Sequence, residues 1–339
     1  MKTIVSVQEI SEFEIKPHTA VAQWRAMVEA EISQGWADRS GWIRVDWPIC
    51  KQKDAVPAFE RYGIAYVECP DCGSLYAPFR PSENELWSWY RESAPARFWR
   101  EQILPASEEA RHAKITRPRA DWVLDGIAEY VPHARRLVDI SSHGRGLVDL
   151  VAAENSGLVD LVMVGMTADL EGVSTPRVHV QPTRVADLPA HGPADVIVAI
   201  DVLDRAFDLG ALIGAFEQLL APGGVVFATV PVASGFEIQT LWARSPTVIP
   251  PDKLNLPSVA GLQQLFAAPA WEILELSTPG MFDVEMVRRA IAAEPDVPWP
   301  RMVRALVERT DSVGRMALVE LLQSRRLTSF ARLVVRKEN

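Results

Sequence analysis

The feature that most limits how this chain can fold is a regular alternation of short apolar runs with helix-like segments. The apolar runs cover residues 137–140, 158–164, 178–180, 195–200 and 225–230. Strands that alternate with helices form a parallel sheet with helices on both faces, and such sheets bind ligands at the carboxyl ends of their strands. The sequence therefore predicts an α/β fold built on a doubly wound sheet.

The segments outside this alternation predict additional helices and short strands. They are a helix over 17–36, β-like runs with turns over 41–80, helices over 82–133, and strands at 271–276 and 330–335 around a helical stretch at about 300–325. Ser82 with Glu85 forms a capping box, which is typical of a helix start.

The charge balance restricts the class of partner. The chain of 339 residues has 35 Lys and Arg against 44 Asp and Glu, a net charge of −9. Because nucleic acids and anionic membrane surfaces are held by clustered Lys and Arg, neither is predicted as a partner. No apolar run approaches the roughly 20 residues that span a bilayer, and no signal peptide is expected. The predicted location is the cytoplasm.

All three cysteines of the chain lie close together in the sequence. They are Cys50, Cys69 and Cys72. An odd, clustered number in a cytoplasmic protein favours a metal knuckle, or the remnant of one, over a disulfide framework.

Residues 194–231 resemble a known family. They combine a buried strand, a helix that stops at Leu220-Ala221-Pro222-Gly223-Gly224, and a second buried strand. This order is similar to the fourth strand, the following helix and the fifth strand of the class I S-adenosylmethionine-dependent methyltransferases. The resemblance implies a seven-stranded Rossmann-like sheet with an antiparallel strand near one edge.

A narrower branch of that family is similar over nearly the whole chain. The matching motifs are Cys69-Pro70-Asp71-Cys72-Gly73, Phe79-Arg80-Pro81-Ser82 and Ser277-Thr278-Pro279-Gly280. Members of this branch have an amino-terminal zinc knuckle with two cysteine pairs, and their acceptors are sugars, polysaccharide precursors or other small molecules.

The resemblance also implies a division of the chain. It predicts an amino-terminal helical segment (1–45), a degenerate zinc knuckle (46–80) and a helical connector (81–133). A Rossmann-like methyltransferase core (134–290) and carboxy-terminal helices with a closing strand (291–339) follow.

The cofactor turn departs from the family pattern Asp-x-Gly-x-Gly-x-Gly. The residues expected to line it are Asp139, Ser141, His143, Gly144, Arg145 and Gly146. In register from Asp139, the places of the three glycines are taken by Ser141, His143 and Arg145. A shift by one residue recovers Gly144 and Gly146 but needs an insertion. Glycine suits this turn because the backbone must take positive φ and approach the cofactor closely.

Two acidic contacts to the cofactor are implied as well. The ribose acid that ends the second strand falls on Thr167 or Met166, and Asp169 or Glu171 could substitute if the loop differs. Asp187 matches the residue that contacts the adenine amino group, although a solvated loop acid is an equal interpretation.

Histidines that the family resemblance implies are replaced at three positions. Arg205 follows Asp204 where Glu-His is usual, and Lys253 and Phe330 stand at the other two places. Because histidine is the commonest general base, ordinary base catalysis is not expected. Asp204, Arg205 and Lys253 are the remaining weak catalytic candidates.

The knuckle resembles the family's but lacks one ligand, because Trp47 stands in place of the first cysteine. Three thiolates could hold zinc with Asp46, Asp54, His18 or water as the fourth ligand. The favoured interpretation is a metal-free knuckle with Trp47 packed in place of the ion.

Three hypotheses follow for the function. The first is a methyltransferase-like protein without independent catalysis, a regulatory partner of a homologous methyltransferase subunit or a homodimer. The second is an active enzyme on a sugar nucleotide or other small molecule, with Asp139 and Asp187 around the cofactor and Asp204, Arg205, Glu237 and Lys253 facing the acceptor. The third is a module in which Arg145, at a helix amino terminus, binds a phosphate or carboxylate. An ion pair of Arg145 with Asp149 is the competing and favoured interpretation.

Overall fold

The computed structural model describes the chain except residues 7–10, 37, 48, 51–54, 142–143, 166–174, 176, 183, 268 and 339. Its strands are β1 Ile43–Arg44, β2 Val56–Arg61, β3 Ile64–Glu68, β4 Leu75–Tyr76, β5 Phe79–Arg80, β6 Arg136–Asp139, β7 Asp160–Gly165, β8 Val178–Pro182, β9 Ala194–Ile200, β10 Leu220–Pro231, β11 Asn255–Leu256, β12 Trp271–Ser277 and β13 Phe330–Lys337. Its helices are α1 Glu12–Ile15, α2 His18–Gly35, α3 Glu83–Glu92, α4 Ala94–Phe98, α5 Leu104–Ala106, α6 Glu108–Arg111, α7 Arg117–Tyr130, α8 Gly146–Glu154, α9 Leu209–Leu219, α10 Phe236–Leu241, α11 Val259–Leu265, α12 Asp283–Ala293, α13 Arg301–Glu308 and α14 Ser312–Ser324.

A seven-stranded sheet forms the centre of the fold, in the order β12-β13-β10-β9-β6-β7-β8. The strands from β10 to β8 pair in parallel, whereas β13 runs antiparallel to both β10 and β12. The predicted α/β fold, with a doubly wound sheet and an antiparallel strand near one edge, is confirmed.

Both faces of this sheet are buried. Along β9, Ile197 and Ala199 belong to one apolar cluster, and Val196 and Val198 belong to the cluster on the opposite face. Successive side chains of a strand point to opposite faces, so a continuous apolar run is the expected sequence of a strand covered on both sides.

Strand β10 begins earlier than the sequence predicts. Leu220 leaves α9 in an extended conformation and pairs with Ala194, and a register shift separates this pair from the one at Val225. Gly223 takes φ +75° in this irregular part of the strand, a conformation that side chains rarely adopt. The Pro-Gly-Gly stop therefore lies within a bulged strand rather than before it.

A smaller sheet joins the cysteine-containing segment to the rest of the chain. Its order is β11-β4-β3-β2, so β11, which follows β10 in the sequence, supplies one of its strands. Leu75 and Tyr76 of β4 pair with Leu256 and Asn255 of β11.

Arg80 connects the small sheet to neighbouring segments through buried hydrogen bonds. Its side chain is fully buried, and its guanidinium donates to the carbonyl oxygens of Ala77 and Phe207 at 2.8 Å and to Asn255 Oδ1 at 3.2 Å. A planar guanidinium can reach several acceptors in fixed directions. The Arg-Pro-Ser motif of the sequence is therefore structural.

The amino-terminal residues run beside the outer strand β12. Lys2 N donates to Leu274 O at 2.8 Å, and Leu276 N donates to Lys2 O at 3.1 Å. Ile4 N then donates to Ser277 Oγ at 2.8 Å. These residues form one isolated bridge, parallel to β12, at the edge of the large sheet.

Among the described residues, no helix combines the length and the apolar character that crossing a membrane requires.

Candidate active site

A cavity of about 360 Å³ opens at the carboxyl edge of the large sheet. Asp201 follows β9, Thr229 and Pro231 end β10, and Phe330 begins the antiparallel β13, so all four reach the same edge and line the cavity. Amino-terminal helices complete the wall opposite the sheet, for example through Trp24 of α2. This volume lies within the usual range of about 300–1,000 Å³ for small-molecule sites.

The three positions where the family resemblance implies a histidine all line this cavity. Arg205 pairs with Asp252 at 3.0 Å, and Lys253 pairs with Asp204. Phe330 lies beneath the guanidinium of Arg119, 5.5 Å from its ring centroid. Since neither a fixed cation nor a phenyl ring accepts a proton at neutral pH, none of these replacements acts as a general base.

Asp204 is the one weak catalytic candidate that does not reach the cavity. Its side chain is fully buried behind Lys253, and its amide neighbour Asn255 donates to the backbone of Leu203 and Ala206 around it. Burial raises the pKa of Asp204. Its position fits a counter-ion that orients Lys253.

A carboxyl group suited to proton transfer lies elsewhere in the cavity wall. Glu237, on α10, is fully buried, and burial raises its pKa from 4.5 to about 7, with a further contribution from the charge of Asp283. The hydroxyls of Ser245 and Thr247 lie near it, yet neither carboxylate oxygen accepts a hydrogen bond of normal geometry from any described residue. A general base is most effective when its pKa is close to the working pH. Glu237 meets that requirement.

Asp283 holds the Glu237 backbone in place. Its Oδ1 accepts from Glu237 N at 3.2 Å and from Ser329 N at 2.7 Å. Ser329 Oγ in turn accepts from Ile238 N at 3.3 Å. Asp283 lies three residues after Gly280 of the Ser-Thr-Pro-Gly motif, so the segment that follows this motif and the start of β13 position the cavity carboxyl. Sequence reasoning included Glu237 among acceptor-facing residues but gave no role to Asp283.

The raised pKa of Glu237 predicts a pH-dependent stability. An acid whose pKa is higher in the folded state stabilises the fold below its unfolded pKa, here 4.5, and loses that contribution as the pH rises to about 7. Replacing Glu237 with glutamine should therefore raise the urea midpoint relative to the unmodified protein at pH 8 more than at pH 4. Equal differences at both pH values would contradict this expectation.

The turn after β6 presents an unpartnered acceptor. Asp139 is fully buried, and burial raises its pKa to about 6. Its Oδ1 accepts from Ser141 N at 2.8 Å, whereas Oδ2 has no hydrogen-bond partner among the described residues. Gly144 takes φ +75°, and a Cβ there would meet no described atom within 4 Å. The described part of this turn therefore offers an acceptor to a ligand that donates hydrogen bonds.

Ser141 ties the same turn to the neighbouring strand. Its hydroxyl accepts from Ile200 N at 3.2 Å, and the residue is 4% exposed. Asp201, which follows Ile200 in the sequence, lines the cavity and pairs with Arg119 at 3.2 Å. The turn after β6 and the cavity are therefore adjacent, with Asp201 between them.

The remaining residues of the predicted cofactor site lie on α8, on a short 3₁₀ helix, or outside the described residues. Arg145 pairs with Asp149 at 2.7 Å, the arrangement that the sequence favoured, and Gly146 begins α8. Asp187 is exposed in a short 3₁₀ helix, Val185–His191. Outside the described residues lie His143, Met166, Thr167, Asp169 and Glu171.

The three cysteines converge in space. The sulfur atoms of Cys50, Cys69 and Cys72 all lie within 4.8 Å of one another. Zinc with ligands at about 2.3 Å places its sulfur atoms roughly 3.8 Å apart, so three thiolates here could share one soft metal ion. In the present arrangement Cys50 Sγ lies 2.9 Å from Gln264 Oε1, and Cys72 Sγ lies 3.1 Å from Ser74 Oγ.

The group lacks a fourth ligand of the usual type among the described residues. Asp46 is exposed and pairs with Arg44, and His18 is exposed against the Phe13 ring. Asp54 lies outside the described residues. Trp47 is 2% exposed and stacks on Tyr76, with ring centroids 5.0 Å apart. These donors do not fit a closed four-ligand zinc site.

The chain is similar to several solved structures and to one family model. No match was found among curated proteins. Solved structures with similar folds include the [4+2]-cyclase SpnF, at 19% identity over 64% of this chain and 80% of that chain, with a TM-score of 0.39. Coclaurine N-methyltransferase is 13% identical over 64% and 72% of the two chains, with a TM-score of 0.41. The plantazolicin methyltransferase BpumL is 10% identical over 75% and 94%, with a TM-score of 0.47.

The sequence also matches one family model over a long continuous segment. A family model described as a methyltransferase domain matches residues 97–276, from the end of α4 to the end of β12. Because that match spans more than half of the chain, the protein belongs to the methyltransferase-domain family.

Proposed function

We propose that this protein is an S-adenosylmethionine-dependent methyltransferase that acts on a weakly acidic group, such as a hydroxyl, of a small molecule bound in the cavity. The observation that carries the proposal is Glu237, a buried carboxyl group in the cavity wall with a pKa of about 7. Sugars, polysaccharide precursors and other small molecules are the acceptors that the sequence resemblance implies.

The residues of the turn after β6 fit the cofactor. When bound, S-adenosylmethionine supplies a methyl group activated by its sulfonium. The Oδ2 of Asp139, which has no partner among the described residues, would accept a hydrogen bond from the cofactor's ammonium group. The absence of a side chain at Gly144 would let the cofactor's methionine part approach the protein backbone. Asp187 remains the candidate for the adenine contact, with its exposed carboxylate on the neighbouring 3₁₀ helix.

The chain's own residues supply orientation and a proton acceptor. The acceptor hydroxyl would donate to Glu237, which takes the proton as the oxygen gains its methyl group. Asp283 fixes Glu237 through the backbone, and the ion pairs of Arg205 and Lys253 form a rigid part of the wall. Positioning contributes much of the rate in methyl transfer because the reaction brings two groups together.

Calorimetry with S-adenosylmethionine tests the cofactor site directly. We expect micromolar binding to the unmodified protein and at least tenfold weaker binding to Asp139→Asn, because the amide cannot pair with an ammonium. Asp125→Asn, which changes an exposed carboxylate on α7, is the matched control and should bind normally. Absence of binding by the unmodified protein would refute the proposal.

One observation favours a second candidate, a non-catalytic partner of a homologous methyltransferase. Ser141 stands where the family resemblance implies a glycine, and its hydroxyl binds the backbone at the end of β9. If this side chain keeps the cofactor out, the unmodified protein will not bind S-adenosylmethionine and Ser141→Gly will gain binding. Equal binding by both proteins would remove this candidate.

We further propose that the cysteine segment keeps its fold without metal. Trp47 stacked on Tyr76 and the pairing of β4 with β11 stabilise it independently of an ion. Treatment with a chelator should change the melting temperature by less than about 2 °C, whereas folds that depend on zinc unfold without it. A large decrease that zinc reverses would show a resident metal.

A further inference from the structure

The cavity has an excess of positive charge in a protein that is acidic overall. Eight cationic side chains line it, against four carboxyl groups. Carboxylates neutralise several of these cations, as in the pairs of Arg119 with Asp201 and of Arg205 with Asp252. A cavity lined by one sign of charge concentrates ligands of the opposite sign. The cations that are not paired with a carboxylate are therefore the candidates for binding an anionic ligand.

Two arginines in the cavity wall have no carboxylate within salt-bridge distance among the described residues. Arg25 donates to Pro246 O at 3.3 Å, and its Nε is buried without a partner. Arg111 donates to Ile15 O at 3.3 Å. Both are only half-buried, so each has one weak backbone contact and further donors available toward the cavity.

Lys16 is the third member of this group. It follows Ile15, the residue that Arg111 contacts, and its pairing with Glu12 is long, at 3.4 Å. Glu12 also pairs with Arg289, so one carboxylate serves two cations. We name Lys16, Arg25 and Arg111 the basic cluster.

The basic cluster is electrostatically unfavourable without a counter-ion. Loss of hydration lowers the pKa of each of the three residues. Loss of hydration is the largest effect at each residue. Lys16 and Arg25 repel each other while Glu12 attracts both. Arg119 repels Arg111 while Asp201 attracts it. A buried charge that is left unpaired has a high free energy, and an opposite charge that enters the cavity would relieve it.

We propose that the basic cluster binds an anionic group of the acceptor, a phosphate or a carboxylate, and that the acceptor is therefore a negatively charged small molecule. This inference rests on the proposed function, because it assigns the acceptor to the cavity that contains Glu237. Arginine suits the task since its planar fork binds phosphate and carboxylate oxygens in pairs. The acceptor's anionic end would lie against α1, α2 and α6, and its reacting end would face Glu237.

Binding of simple anions tests the proposal without any methyl transfer. The probes are inorganic pyrophosphate and malonate, and the signal is the fluorescence of Trp24 and Trp99, which line the cavity in contact with each other. We expect saturable binding of at least one probe, and the stronger probe identifies phosphate or carboxylate. Arg25→Gln and Arg111→Gln should each bind at least tenfold more weakly. Arg304→Gln, on the distant helix α13, is the matched control and should bind normally.

Thermal unfolding separates a lost site from a damaged fold. Because the basic cluster is self-repelling, Arg25→Gln and Arg111→Gln should melt at or above the temperature of the unmodified protein without anion. The probe that binds should then raise the melting temperature of the unmodified protein more than that of either variant at the same concentration. The proposal is overturned if neither probe binds the unmodified protein, or if both variants bind as tightly as it does.

The outcome is distinguishable from failure of the proposed function. Glu237→Gln should bind the anion at least as tightly as the unmodified protein, because the substitution removes a negative charge that acts on Lys16 and Arg25. Anion binding by a protein that does not bind S-adenosylmethionine would leave the basic cluster established and the methyltransferase proposal rejected.

Discussion

Replacing Glu237 with glutamine is expected to lower the rate of methyl transfer by about 10²–10⁴-fold, the usual contribution of a general base. The amide is of similar size but cannot take the acceptor's proton. The affinity for S-adenosylmethionine should not change, because Asp139 and Gly144 lie at the end of β6 and in the turn after it, whereas Glu237 lies on α10. Transfer of a labelled methyl group to an acceptor from a panel of anionic sugars and hydroxy acids, together with calorimetry, measures both quantities.

The pH profile gives this prediction a second readout. With Glu237 as the base, kcat/KM should rise with pH and level off above about 7, where the carboxyl group is ionised. The matched control is Glu285→Gln, which removes an exposed carboxylate on α12 that pairs with Arg288. If Glu237→Gln transfers methyl groups at the normal rate, Glu237 is not the base.

Replacing Arg80 with alanine is expected to cost about 3–5 kcal/mol of unfolding free energy. The substitution removes every side-chain hydrogen bond to Ala77, Phe207 and Asn255 and leaves buried acceptors without donors. These acceptors belong to separate parts of the chain, so the loss loosens the contact between the small sheet and the segment after β9. Urea unfolding followed by tryptophan fluorescence measures the change.

Two further variants make the Arg80 result interpretable. Arg80→Lys keeps the charge but not the planar fork, so it should recover only part of the stability. Arg44→Ala, on the paired strand β1, removes an exposed arginine and should change stability by less than about 0.5 kcal/mol. An Arg80→Ala protein as stable as the Arg44→Ala protein would contradict the structural role of the motif.

Much of the large sheet could be predicted because its signals are local. The apolar runs that became β6 and β9 are continuous, as expected for strands covered on both faces, and the capping box at Ser82 begins α3 as predicted. The start of β10 was harder to predict from the sequence. Leu220 looks helical in sequence, and only its pairing with Ala194 draws it into the strand.

The candidate site could be predicted only in part. The positions of the replaced histidines converge on one cavity, since Arg205, Lys253 and Phe330 all line it. The basic cluster was missed because its members come from amino-terminal helices that reach the site through tertiary packing. Arg25, for instance, contacts Pro246, which is 221 residues away. No spacing rule within one sequence reports such a contact.

The bridge that Lys2 forms with β12 has a consequence for handling the protein. A strand at the edge of a sheet offers unpaired backbone groups, on which a second molecule can extend the sheet. Lys2 already occupies that position on β12, through the backbone of Leu274 and Leu276. Removing the first five residues would bare this edge, so variants trimmed there should self-associate, whereas Ser6, which lines the cavity, would remain in place.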